Sequence, residues 1–189
     1  SRGGFVGGVA LGEGSCGARG LVATRPAPQG EVLLAVPLSM ALPAAAPGVC
    51  GGGEPWDVRL AARIAAEASA GTSSPFAAHV RTLPSLEDFV SGGHAVLFEG
   101  SDEDLAASVQ YGPGAASAVA VRTSLREAHA ALRASGAVEC GWERFAWAAA
   151  CAHSRTFGLP AGEGRWARVM VPLLDLLNHG GDELLPGGG

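Results

Sequence analysis

Several groups in this chain have side chains able to do chemistry. Ser154, Asp175 and His179 are the residue types of a hydrolase triad, in which a base activates a hydroxyl and an acid orients the base. No G-x-S-x-G turn surrounds Ser154 to present it as a nucleophile, so polar residues at helix ends are the favoured reading of these three. Asp175 and His179 are also spaced i and i+4, as two ligands on one metal face would be. A metal site needs a third or fourth ligand, and His153 is the only other nearby candidate, so no metal is assigned. His79, His94 and His129 stand alone and are placed on solvated faces or in turns. Gly12-Glu13-Gly14-Ser15-Cys16-Gly17 matches G-x-G-x-x-G. A dinucleotide site would require a helix opening near Gly17. The following residues, Ala18 to Thr24 and then two prolines within four positions, read as a strand instead. A glycine-rich turn can still bring backbone amides close to a ligand without that fold.

The segment Val171-Pro172-Leu173-Leu174-Asp175-Leu176-Leu177-Asn178-His179 is the most informative. Its simplest reading is an apolar turn ending in polar caps. Composition adds to this. The chain has no Lys, so all 13 basic residues are Arg, and it contains one Asn, one Ile (Ile64) and one Tyr (Tyr111). The single Asn lies here, beside His179. An amide both donates and accepts, which suits a ligand with mixed hydrogen-bonding edges.

The same composition sets limits. The 29 Gly and 12 Pro approach the range where disorder becomes a concern, yet 48% of residues are hydrophobic, enough for a packed core. The length supports one domain, or one plus a fragment. A net charge of -5, with no Arg stripe, weighs against a dedicated nucleic-acid surface. The longest Pro-free apolar stretch, around Phe145–Ala152, is too short to span a bilayer. The four Cys have no C-x-x-C spacing and suit a reducing, intracellular compartment. Ala and Gly runs read as a compositional skew with little functional meaning.

Elements must position these residues. Leu21–Thr24 and Glu31–Val36 read as strand, turn, strand around Pro26, Pro28 and Gly30. Pro37–Met40 reads as a third strand or a bend. Trp56, Leu60, Ile64 and Ala68 recur at helical spacing, with Gly71 as the stop. Ser101 and Asp104 form a capping box that opens another helix. Ala115–Ser135, ending at Gly136, and Glu143–His153 are further helices. Val169–Pro172 reads as a strand and Leu173–His179 as a short helical turn. The order does not alternate β and α, which argues against a doubly wound parallel sheet.

Five segments, taken in order, resemble a known family. Gly17-Ala18-Arg19-Gly20-Leu21-Val22-Ala23-Thr24 with Gly30-Glu31-Val32-Leu33-Leu34 resembles the opening of the SET domain of protein methyltransferases. The resemblance is to the class that includes the Rubisco large-subunit lysine methyltransferase. Leu60-Ala61 to Glu67, then Pro75-Phe76 to Leu83-Pro84, resembles that class's helical segment. Ser154-Arg155-Thr156-Phe157 resembles its S-R-x-F motif, and Pro172 to His179 its P-x-x-D-x-x-N-H motif.

The resemblance implies an α+β chain: a β-rich SET fold interrupted by a mainly helical insert. Residues 1–13 would lead in, 14–43 would form the N-terminal half of the SET domain, and 44–165 the insert. Residues 166–189 would begin the C-terminal half, with the remainder missing. It implies S-adenosylmethionine as cofactor and a protein lysine as methyl acceptor. Gly17, Ala18, Arg19 and Gly20 would lie against the cofactor through their backbone. Arg155 would meet its carboxylate, Asn178 its methionine portion and His179 its adenine, while Asp175 orients the turn. Ser154 and Phe157 would line the acceptor channel, an aromatic at 157 resembling the lysine-modifying members. The family's catalytic Tyr lies downstream of the N-H motif, so no catalytic residue is expected within these residues and the chain is expected to be truncated. The implied partner is a lysine-bearing protein, with no nucleic acid or membrane, and the chain a monomer. The rival expectation is a non-catalytic SET remnant that acts as a protein-interaction module.

Overall fold

The computed structural model describes residues 4–13, 19–44, 53–91, 100–109, 112–162 and 164–178, an α+β chain. Gly17, Ala18, His94, Tyr111 and His179 lie outside the described residues. The chain divides into two compact units, one formed by Ser1–Ala41 with Met170–Gly189 and the other by Leu42–Val169. No helix among the described residues is long and apolar enough to cross a membrane.

The first unit is built from short antiparallel pairs. Strand β1 (Phe5–Val6) pairs with β4 (Leu34–Ala35), and β2 (Val9–Glu13) pairs with β3 (Arg19–Ala23), Gly12 facing Gly20. Gly8, at φ 75°, turns the chain from β1 into β2, a conformation open to glycine. The segments read as strands at Leu21–Thr24 and Glu31–Val36 do not pair with each other. Each segment instead pairs with an earlier strand that its own apolar run does not reveal. Leu38–Met40 is a 3₁₀ turn, the bend rather than the strand. Residues 174–176 form a second 3₁₀ turn, as the short helical turn predicted. A strand at Arg19–Ala23 leaves no helix there for the dinucleotide reading, which fails on that ground.

The second unit is mainly helical. It contains α1 (Trp56–Ala70), α2 (Ala77–Val80), α3 (Leu86–Ser91), α4 (Asp102–Ser108), α5 (Gly112–Ala134) and α6 (Trp142–Arg155). Strands β5 (Leu42–Pro43), β6 (Thr156–Pro160) and β7 (Trp166–Met170) form a sheet in the order β5-β7-β6. The last strand, Trp166–Met170, begins and ends earlier than Val169–Pro172, and Pro172, with no N–H, cannot extend its ladder.

Helices α1 and α6 form the core of this unit. Leu60, Ala61 and Ile64 of α1, and Phe145, Ala146, Ala148, Ala149 and Ala152 of α6, are fully enclosed. The alanines that read as compositional skew are therefore interface residues, whose small side chains let two helix backbones approach. The helix ends follow local rules. Ser101 and Asp104 form the expected reciprocal capping box of α4, and Ser85 and Asp88 cap α3 in the same way. Gly136, at φ 75°, closes α5: its N–H donates to Arg133 and that of Ala137 to Leu132, the paired bonds of a Schellman motif.

Two histidines expected on solvated faces or in turns are buried in helices instead. His129 is 9% exposed, its Nε2 lies 3.0 Å from the Cys140 carbonyl oxygen, and its ring packs 4.9 Å from that of Phe145. His79 is 5% exposed in α2. A buried carboxylate also helps build this unit. Glu67 of α1 pairs with Arg63 and accepts from the Ser74 hydroxyl, which in turn accepts from the Phe76 N–H. Arg63 also lies 5.5 Å from the centre of the Phe76 ring. The indole N–H of Trp147 donates to the Pro84 carbonyl at 2.9 Å, fixing the Leu83-Pro84 turn against α6.

Candidate functional site

In the first unit the chain after β7 returns to β3. Pro172 and Leu173 lead into the 174–176 turn, with Leu173 at φ 70° and ψ -42°. It is the sole non-glycine with positive φ among the described residues. Such a conformation costs on the order of 1–3 kcal/mol and persists where its surroundings over-determine it, commonly at ligand sites. Bonds from Asp175 N–H to Val171 and from Leu176 N–H to Leu173, both at 3.1 Å, hold the turn. Asp175 is buried in it.

Beyond the turn, Asn178 Nδ2 donates to the Arg19 carbonyl of β3 at 3.4 Å, joining residues 159 apart in sequence. The approach depends on Gly20. A Cβ there would stand 2.8 Å from the Leu176 carbonyl oxygen and would collide with Asn178 Nδ2. Gly20 is buried while Asn178 is exposed, so the amide keeps an edge toward solvent. Three of the expected cofactor residues, Arg19, Gly20 and Asn178, thus form one cradle, with Asp175 in the turn that leads to it. A glycine that admits a close backbone approach, beside an exposed amide, fits a ligand that needs backbone and mixed hydrogen-bonding contacts. Gly17, Ala18 and His179, expected at the same place, fall outside the described residues.

The other expected residues lie in the second unit, at the end of α6 and the start of β6. Ser154 and Arg155 form the last turn of α6, and Phe157 is half-buried in β6. A guanidinium in a last helical turn is favoured by the helix dipole. His153, Ser154 and Arg155 line a cavity of about 710 Å³ together with Phe89 of α3 and Val121 of α5. The Ser154 hydroxyl donates to the Ala150 carbonyl at 2.9 Å, the usual back-bond of a helical serine. No cluster of three metal-ligating side chains occurs among the described residues.

One pair in this region carries no local signal in the sequence. His153 Nε2 lies 3.2 Å from Asp57 Oδ2 in the first turn of α1, across 96 residues of chain. The Trp56 ring packs against His153 at 5.2 Å, and Arg168 of β7 lies 5.1 Å from the centre of the Trp56 ring. The hydrogen bond from His153 holds the Asp57 carboxyl below its ordinary value of 3.8, with the Val58 N–H adding to the effect against partial burial. A lowered carboxyl pKa stabilises the fold at pH values above 3.8, and this contribution is lost as pH falls through the lowered value. The pair is partly solvated, so its share of global stability is small, in the range of about 0–1 kcal/mol.

The chain was compared with protein-family models and with curated proteins; no family model and no curated protein matches it.

Proposed function

We propose that this protein is an S-adenosylmethionine-dependent methyltransferase of the SET class that acts on protein lysine side chains. The observation that carries the reading is the cradle in which Asn178 meets the backbone of Arg19 and Gly20. Two segments that resemble separate cofactor motifs of one family, far apart in sequence, meet through a glycine that admits no side chain. The grouping of residues before 42 with those after 169, with a helical stretch between them, also supports a SET fold with an insert.

The bound cofactor supplies an electrophilic methyl on a sulfonium. In this reading Asn178 holds the methionine portion and the β3 backbone lines its path. By the resemblance, Gly17, Ala18 and His179 would also take part in cofactor binding, and Asp175 fixes the 174–176 turn. By the resemblance Arg155 would meet the cofactor's carboxylate, for which a planar cation is suited. By the same resemblance Ser154 and Phe157 would line the channel through which the lysine enters. The protein's contribution is alignment: the amine, methyl and sulfur must lie in line. An apolar channel also favours the neutral amine, because desolvation disfavours the ammonium.

Thermal unfolding in S-adenosylmethionine is the test. A ligand selective for the native state stabilises it by about 2.7 kcal/mol at one hundred times its Kd. The melting temperature of the wild type is expected to rise with S-adenosylmethionine and not with adenosine alone. A melting temperature indifferent to saturating S-adenosylmethionine would sink the reading.

A further inference from the structure

The pairing of Asp57 with His153 lies one residue before the S-R-x-F turn and is mostly side-chain contact between elements distant in sequence. We infer that Asp57, through His153, is a positioning residue that sets the direction of Arg155; this rests on the methyltransferase reading. Four observations meet here. Asp57 Oδ2 and His153 Nε2 are 3.2 Å apart. Trp56 packs on the His153 ring, and Arg168 packs on Trp56. Asp57 is also fixed on its own helix, since its Oδ1 accepts from the Val58 N–H at 2.9 Å. His153, Ser154 and Arg155 line the same cavity.

The geometry explains why a clamp is useful at this point. The backbone changes from helix to strand at Thr156, where φ is -88° and ψ 137°. The final helical carbonyls have no intrahelical partners there, so the last turn of a helix frays readily. The Thr156 hydroxyl donates to the Ala152 carbonyl and satisfies one of them. The Asp57–His153 bond ties the same turn laterally to α1. A shift of that turn would carry Arg155 with it, and a misplacement of about 1 Å can cost 100-fold in a reaction that depends on alignment. The clamp therefore acts on ligand geometry more than on folding.

Three variants test this: Asp57→Ala, His153→Ala and the two combined, with Asp57→Asn as a variant that keeps an acceptor oxygen. Melting temperature, S-adenosylmethionine affinity by calorimetry, and hydrogen exchange of residues 153–158 are measured on each. Each alanine variant is expected to melt within a few degrees of wild type, to bind the cofactor about tenfold more weakly and to lose protection at 153–158. The combined variant is expected to match the single ones, since both remove one interaction. Asp57→Asn is expected to recover most of the affinity. Alanine variants that bind and exchange like wild type overturn the clamp alone. Additive losses in the combined variant also overturn it, since the residues would then act separately. If the wild type itself does not bind S-adenosylmethionine, the methyltransferase reading falls and the positioning role with it.

Discussion

Gly20→Val is expected to remove cofactor binding and to destabilise the first unit. The added side chain would have to occupy space held by the Leu176 carbonyl and the Asn178 amide, and a backbone carbonyl cannot yield as a flexible side-chain tip can. Overpacking of this kind costs about 1–3 kcal/mol. The 174–178 segment is expected to relieve the collision by leaving β3, which breaks the bond from Asn178 to Arg19. Gly53→Ala is the control, because a Cβ there meets nothing within 4 Å. The check is the shift in melting temperature with and without S-adenosylmethionine. A Gly20→Val protein that melts and responds like wild type would show that the close approach is not needed.

Glu67→Ala is the second large effect, acting on stability rather than binding. Glu67 is 8% exposed and takes both the Arg63 guanidinium and the Ser74 hydroxyl. Its loss leaves a charged partner and a buried hydroxyl without their acceptor. Breaking a buried pair costs about 3–5 kcal/mol, and the low end applies because Arg63 can turn toward water. The Ser74–Phe76 corner is then no longer tied to α1. Urea unfolding is expected to show a lower midpoint with an unchanged slope, a loss of about 3 kcal/mol in unfolding free energy. A loss under about 1 kcal/mol would mean that the network contributes little to this unit.

The helices were legible because their signals are local. The stripe from Trp56 to Ala68, the Ser101–Asp104 box and the Gly136 stop each lie within a few residues, and each has its structural counterpart. The strands were less legible. Strands β1 and β4 are two residues long, and β2 contains a glycine and little alternation, so nothing local announces their pairing. Strand pairing depends on distant partners, and two adjacent apolar runs invite a hairpin that does not form. His129 continues the helical spacing of Leu125 and Leu132 on the buried face of α5, whereas His79, in a four-residue helix, had no periodic context to reveal its place.

The site was legible in part. Asn178 was marked by its rarity, and Gly20 by its place in a glycine-rich turn. Their contact across 159 residues is a property of the fold. The strained Leu173 and the Asp57–His153 pair had no such mark, because one is a backbone torsion and the other a long-range contact.

Isothermal titration of S-adenosylmethionine into the wild type and into Asn178→Ala tests the central claim most directly. The wild type is expected to bind saturably at one site. Asn178→Ala is expected to bind at least tenfold more weakly, a difference of about 1.4 kcal/mol, while keeping its melting temperature in the absence of ligand. Wild-type affinity in Asn178→Ala, or no binding by either protein, would contradict the account.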